Sequence, residues 1–194
     1  MTTVTTLSVI RSISKPYHAQ LDGIGMSKAL KGQKITVQVY SQWLQTTQAM
    51  LEGIDALTDN NPIPYDLSPY YSSSTAKIDQ DMLDMGIQQL PPYDCPEIKN
   101  SAMWVVPIYT VLGSRLGASL ILKYIEQEQL QLPTHFLREG KQGMRTWREL
   151  LANLDRPIEP KSAEQMKTYT EKFWKVIHQR NVQDYATSRR GETE

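Results

Sequence analysis

The sequence predicts an all-α fold, arranged as a single domain of about six to eight helices. Apolar residues recur at steps of three and four along most of the chain, which is the pattern of a helix with one buried face. No stretch alternates polar and apolar residues as a strand does, and no internal repeat occurs. A chain of 194 residues can bury one sizeable core. We therefore expect a helical domain over 1–186 and a polar tail over 187–194.

The amino-terminal helix is expected to be capped near Ser14. Pro16 then falls in its first turn, where proline is tolerated because its missing N–H has no partner there. This assignment puts His18 just inside the helix. It also puts Arg11 in a short helix of its own, because the residue before a proline disfavours the helical conformation.

The middle of the chain predicts two helices. Residues 34–57 carry an apolar stripe that would cover about six turns, and the proline-rich loop 59–69 ends it. The serines at 72–74 can cap a second helix that runs to about Gln89, with these residues directed inward: Ile78, Met82, Met85 and Ile87. The proline-containing segment 90–97 then interrupts the helical pattern.

The remaining sequence predicts three more helices. The most apolar one starts at Asn100 or Ser101 and runs to about Leu130, with a bend at Pro107. An amphipathic helix over 142–154 directs these residues inward: Met144, Trp147, Leu150, Leu151 and Leu154. The last helix follows the segment 156–162 and repeats these residues at helical spacing: Met166, Tyr169, Phe173, Trp174 and Ile177.

Composition and charge argue against several classes of protein. Lys plus Arg and Asp plus Glu both number 21, so the chain as a whole has no electrostatic reason to bind nucleic acid or an anionic membrane. The single cysteine, Cys95, rules out an intramolecular disulfide and fits a reducing compartment. The first residues are too polar for a signal peptide, and charged residues interrupt the longest apolar stretch, 102–125. We expect a cytoplasmic protein with no membrane span.

Two glycines, Gly113 and Gly117, lie four residues apart in the most apolar predicted helix. Each costs about 1 kcal/mol relative to alanine in a helix, so something must offset that loss. One interpretation is that another helix packs closely against the glycine face. The other is that a flat ligand lies against exposed backbone there, with Ala118 extending the face of small residues. The spacing alone leaves both interpretations open.

His18 is one of only three histidines, and a lone histidine near a helix start is ordinarily a surface or hydrogen-bonded residue. Asp22 favours a metal-ligand interpretation, because it lies four residues on, on the same helix face, where it can orient the imidazole. Lys15, three residues before His18, shares that face. Patterns for di-iron, zinc and nucleotide sites do not occur: no Glu precedes a His by three, the histidines are scattered, and there is no glycine-rich phosphate loop.

Four blocks, taken in order, resemble the haem oxygenase family, especially its short soluble bacterial members. The blocks are YHAQLD, LKGQKITVQVYSQWLQTTQAMLEGID, VLGSRLGASLILKYI, and TWRELLANLDRPIEP with the aromatic-bearing helix that follows. The resemblance covers about 7–180 and implies a haem-oxygenase-like bundle with haem between a proximal and a kinked distal helix. It also implies oxidative opening of haem to biliverdin, with release of iron and carbon monoxide. Dioxygen and electrons from ferredoxin, flavodoxin or a reductase are the implied co-reactants.

By position, the resemblance makes His18 the axial ligand of haem iron and Asp22 the group near its second ring nitrogen. Gly113 and Gly117 become the distal glycines whose backbone meets dioxygen. Basic partners for the haem propionates are implied on two sides of the pocket: Arg11 and Lys15 on one, Arg145 and Arg148 on the other. The product would serve iron acquisition or bilin supply.

Two positions depart from the family pattern. Ser114 occupies the catalytic position where many members have an aspartate that holds a proton-delivering water network, and Ala118 replaces a further glycine. Proton delivery and the meso carbon attacked therefore stay open, although Arg11 favours the alpha carbon. A haem carrier or sensor without turnover is the alternative on this fold. A third hypothesis is the same scaffold acting on thiamin-like pyrimidines, for which Cys95 is a poor nucleophile candidate.

Overall fold

The computed structural model describes residues 4–32, 34–73 and 75–190, except for the side chains of 140–142 and 187–190. Helix accounts for 73% of the structure and no strand occurs in these ranges; an isolated bridge joins Thr5 and Pro157. The predicted all-α class is confirmed.

The α-helices in the described ranges are α1 (Thr6–Leu21), α2 (Gly25–Lys31), α3 (Val37–Asp55), α4 (Leu57–Asn60), α5 (Thr75–Asp84), α6 (Val105–Gln127), α7 (His135–Leu154) and α8 (Pro160–Arg190). Short 3-10 helices cover Ser68–Tyr70 and Ser101–Trp104. The sequence patterns did not predict α2 and α4, because helices of one or two turns show too few apolar repeats to stand out.

Helix α1 begins well before the expected cap. Its N-cap is Thr5, whose hydroxyl accepts a hydrogen bond from the Ser8 N–H at 3.1 Å, while the Ser8 hydroxyl accepts one from the Thr5 N–H at 3.0 Å. This reciprocal pair satisfies two N–H groups that would otherwise lack partners. The predicted cap near Ser14 is therefore wrong, and so is the separate short helix for Arg11, because both residues belong to one continuous helix.

Pro16 lies inside α1 instead of in its first turn. An interior proline removes one backbone hydrogen bond, and burial of the helix offsets that loss: Leu7 and Ile10 lie in the core, and α1 packs along α8. The longer helix places His18 in its last turn.

Helix α5 is shorter than predicted and α7 is longer. Gly86, with φ of 65°, follows the end of α5 at Asp84, so the helix does not reach Gln89. Helix α7 starts seven residues before the predicted 142, because the buried Asp81 of α5 accepts its first N–H groups, from His135 at 2.8 Å and Phe136 at 2.9 Å. A cap supplied by a distant helix leaves no local signal in the sequence.

One further prediction about a helix interior is wrong, and the basis of another changes. Met144 was expected to face inward but is 47% exposed. Pro107 lies in the first turn of α6, where a missing N–H interrupts no hydrogen bond within the helix, so the reason to expect a bend there does not hold. Helix α8 continues to Arg190, four residues into the predicted tail, and residues 191–194 lie outside the described ranges.

The segment Ser101–Gln127, which contains α6, is long and apolar enough to cross a membrane by length and composition alone. Its most apolar window is 56% buried inside the protein, and the core helix of a soluble protein passes the same test.

The packing of the helices leaves a space within the bundle. Helix α1 packs along α8 and α6 packs along α7, whereas α1 and α6 make at most marginal contact with each other. Helix α3 packs against α2, α5 and α8. The space between α1, α3, α6 and α8 is the site considered next.

Candidate functional site

A cavity of about 450 Å³ lies between these helices, a volume typical of pockets for small organic ligands and cofactors. It brings together five of the nine predicted site residues: His18, Asp22, Gly113, Ser114 and Gly117. Two distant parts of the chain, the end of α1 and the middle of α6, supply these residues to one space.

The glycine face of α6 is open to the cavity. An ideal Cβ atom added to Gly117 would meet no atom within 4 Å, and one added to Gly113 would meet only the ring edge of Trp147, at 3.9 Å. Gly53 of α3 shows the opposite case, since its added Cβ would lie 2.2 Å from the Tyr93 carbonyl oxygen. Close packing of the non-helical backbone at Tyr93 therefore explains Gly53, whereas at Gly117 the backbone is exposed to the cavity.

His18 reaches the cavity from the last turn of α1. Its ring lies against the indole of Trp174, with the ring centroids 4.4 Å apart. Burial lowers the pKa of His18, and the nearby charge of Asp22 opposes that shift without cancelling it. The imidazole is thus favoured in its neutral form, which is the form that binds metal ions.

Asp22 lines the cavity, but its carboxylate forms an ion pair with Lys31 and no hydrogen bond with the His18 ring. The Lys31 ammonium group donates a hydrogen bond to Asp22 Oδ2 at 2.7 Å. The structure shows no hydrogen bond between the side chains of Asp22 and His18, and only the Asp22 backbone N–H contacts the His18 carbonyl, at 2.8 Å. The interaction of Asp22 with the imidazole is therefore electrostatic.

The four basic residues expected to bind propionates do not line the cavity. Arg11, Lys15 and Arg148 are exposed, and Arg145 pairs with Glu149 at 2.9 Å on the surface of α7. Among the described residues, no lysine or arginine lines the cavity at all. Carboxylate groups of a ligand would have to project from the cavity mouth to meet a cation.

Hydroxyl groups supply much of the polarity inside the cavity. Ser114 Oγ donates a hydrogen bond to the Val111 carbonyl oxygen at 2.7 Å, and Thr110 Oγ1 donates to the Val106 carbonyl oxygen at 3.0 Å. On α3, Thr46 and Thr47 line the same space. The sequence analysis did not assign this threonine pair to the site. Two polar residues within an otherwise apolar helical stripe are the pattern that could have indicated it.

Aromatic residues form another part of the lining, and the sequence analysis assigned none of them to the site. Trp147 contacts the Tyr109 ring, with centroids 4.9 Å apart, and both residues line the cavity with Trp43 and Trp174. Flat, apolar side chains of this kind suit a flat, apolar ligand.

The described residues offer no group of three or more His, Cys, Asp or Glu side chains that could hold a metal ion. A metal bound by His18 would therefore take most of its ligands from another molecule. Cys95 lies outside the cavity lining, and burial raises the pKa of its thiol to about 12, which makes it a weak nucleophile.

Comparisons with protein-family models, with curated proteins and with solved structures return no match for this chain. The assignment of a function therefore depends on the residues that line the cavity.

Proposed function

We propose that this protein binds haem in the α1–α3–α6–α8 cavity and opens it oxidatively to biliverdin, with release of iron and carbon monoxide. In this proposal the fold is a haem-oxygenase-like bundle, with α1 as the proximal helix and α6 as the distal helix. The observation that carries it is the open backbone at Gly117, on a cavity that also contains the imidazole of His18.

The cavity residues fit haem in three respects. The volume and aromatic lining suit a flat macrocycle. The lowered pKa of His18 favours the neutral imidazole that ligates iron, and the porphyrin supplies the metal ligands that the protein lacks. The fit is poorer for the propionates, because the described residues of the lining include no lysine or arginine. We expect those carboxylates to project into solvent at the cavity mouth.

Bound haem would supply the iron that activates dioxygen and the ring that is oxidised, so the protein contributes orientation and access. The imidazole of His18 would fix the distance of the ring from α1. The bare backbone at Gly113 and Gly117 would leave room beside the other face for a small molecule, where larger side chains would block it. The hydroxyl of Ser114 donates to Val111 and keeps lone pairs with which it can accept a hydrogen bond from water.

A haem carrier or sensor is the second candidate, and one observation favours it. The only carboxylate among the described lining residues is that of Asp22, on the α1 side, and Ser114 cannot provide one on α6. A site without a nearby acid would bind haem and deliver protons slowly.

The test is a haem titration followed by turnover. Wild-type protein is titrated with haem and then supplied with a chemical reductant in air, and the absorbance of biliverdin is followed. His18→Ala should abolish the axial-ligand spectrum, whereas His178→Ala is the matched control, because His178 contacts Tyr17 and does not line the cavity. Biliverdin formation supports the enzyme. Stable bound haem under the same conditions supports the carrier, and a wild type that binds no haem contradicts both.

A further inference from the structure

Helix α8 provides an aromatic contact to His18 that the sequence did not assign to the site. The rings of His18 and Trp174 have centroids 4.4 Å apart and planes inclined by 57°. The same indole stacks with Tyr17, at 6.4 Å and 19°. Trp174 therefore contacts two consecutive side chains in the last turns of α1.

Trp174 is a rigid partner for this contact. It is 3% exposed, and its neighbours on α8, Phe173 and Ile177, are buried in the core. Helix α8 packs along α1, so the buried indole cannot move far without disturbing the packing between the two helices.

No hydrogen bond from a described residue sets the orientation of the imidazole. Within the described ranges neither ring nitrogen of His18 has a hydrogen-bond partner, and the nearest carboxylate, that of Asp22, is bound to Lys31 at 2.7 Å. Metal-binding histidines commonly have a second partner that fixes the ring. Here the observed restraint on the ring is its packing against Trp174.

We propose that Trp174 is a positioning residue, which holds the His18 imidazole in the orientation that presents a ring nitrogen to the cavity. The inference rests on the proposed function, since that orientation is the one needed to ligate haem iron. Trp174 takes no part in the chemistry itself. In other metal sites a hydrogen-bonded partner, often a carboxylate, fixes the orientation of the histidine ring. In this chain, packing against an aromatic side chain would fix it instead.

The decisive variant is Trp174→Phe. The indole N–H is buried and has no acceptor among the described residues, so the change removes ring area without breaking a hydrogen bond. Trp147→Phe is the matched control, because Trp147 also lines the cavity and contacts Tyr109 instead of His18. Both variants are compared with wild type in haem affinity and, by resonance Raman spectroscopy of the ferrous haem complex, in the iron–imidazole stretching band.

Trp174→Phe should weaken haem binding by about threefold to tenfold and should shift or broaden the iron–imidazole band. Trp147→Phe should leave that band unchanged, whatever it does to affinity. A Trp174→Phe protein with the wild-type band would overturn the proposal.

A measurement without haem separates this inference from the proposed function. Nuclear magnetic resonance of the haem-free protein, with carbon-13 in its histidines, should show His18 ring signals shifted by the indole. The signals should move in Trp174→Phe and stay in Trp147→Phe. Should wild type bind no haem, the proposed function fails. Nuclear Overhauser contacts from the His18 ring protons, which report the orientation of the ring and not only its aromatic neighbour, then still decide whether Trp174 orients His18. If Trp174→Phe does not fold, Trp174→Tyr is measured in the same way, and a His18 ring with the wild-type orientation and the wild-type iron–imidazole band there contradicts the proposal.

Discussion

Gly117→Ala should make the protein more stable and a poorer haem binder. The added methyl group meets no atom within 4 Å, so no clash opposes the change. Alanine is favoured over glycine in a helix by about 0.8–1 kcal/mol, and in a protein of this size that corresponds to a rise in melting temperature of about 2–4 °C. The same methyl group occupies space that the ligand needs, and overpacking of this kind costs about 1–3 kcal/mol, or about 5-fold to 140-fold in haem affinity.

Thermal unfolding followed by circular dichroism and a haem titration measure the two effects on one sample. Gly53→Ala is the matched control, a glycine in the middle of α3 whose added Cβ would lie 2.2 Å from the Tyr93 carbonyl oxygen. That variant should lose about 1–3 kcal/mol of stability because the backbone of residue 93 must move. The two glycines should therefore respond to the same substitution with opposite signs.

The reasoning about Gly117 has two separable parts. A lower melting temperature for Gly117→Ala would show that the glycine serves the packing of the fold, contrary to the open space around it. An unchanged haem affinity in a stabilised variant would show that the ligand does not approach α6 there, and the distal role of the glycine face would be refuted.

Three further results are expected. The pKa of His18 is lowered in the folded protein, so folding favours the neutral imidazole. The stability that this contributes is present above pH about 6.5 and is lost as the pH falls through the folded pKa. Between pH 7.5 and pH 5, the free energy of unfolding in urea should therefore fall more for wild type than for His18→Gln. Asp81→Ala should lower the free energy of unfolding by at least about 1–3 kcal/mol, since it leaves two N–H groups of α7 without their acceptor, whereas the exposed Asp84→Ala should change urea unfolding little. Cys95, with its pKa raised to about 12, should react slowly with a thiol reagent at pH 8 and rapidly once urea unfolds the protein; equal rates would contradict the burial of its thiol.

The long helices were predictable and their ends were less so. Helix α3 at Val37–Asp55 lies within the predicted 34–57, because a stripe of apolar residues over five turns is a strong local signal. The start of α7 was missed because its cap is Asp81, more than fifty residues earlier in the chain. The start of α1 was missed because Pro16 was taken for a first-turn residue, although burial against α8 offsets an interior proline.

The residues predicted for the candidate site were also partly right and partly wrong. Residues chosen for their chemistry and spacing, such as His18 and Gly117, do line one cavity. The basic residues chosen only by position in the resemblance, Arg145 and Arg148, do not. Helical periodicity fixes which residues share a face, but it does not fix which neighbouring helix covers that face.

The amino-acid sequence by itself determined the all-α class, the positions of the main helices and the presence of two glycines four residues apart on the most apolar one, because these depend on propensities and periods within a few turns. Only the tertiary structure decided that these two glycines border a cavity instead of another helix, that Asp22 binds Lys31, and that Trp174 lies against His18. Those facts depend on contacts between residues distant in the chain, whose energies are set by how the helices pack together.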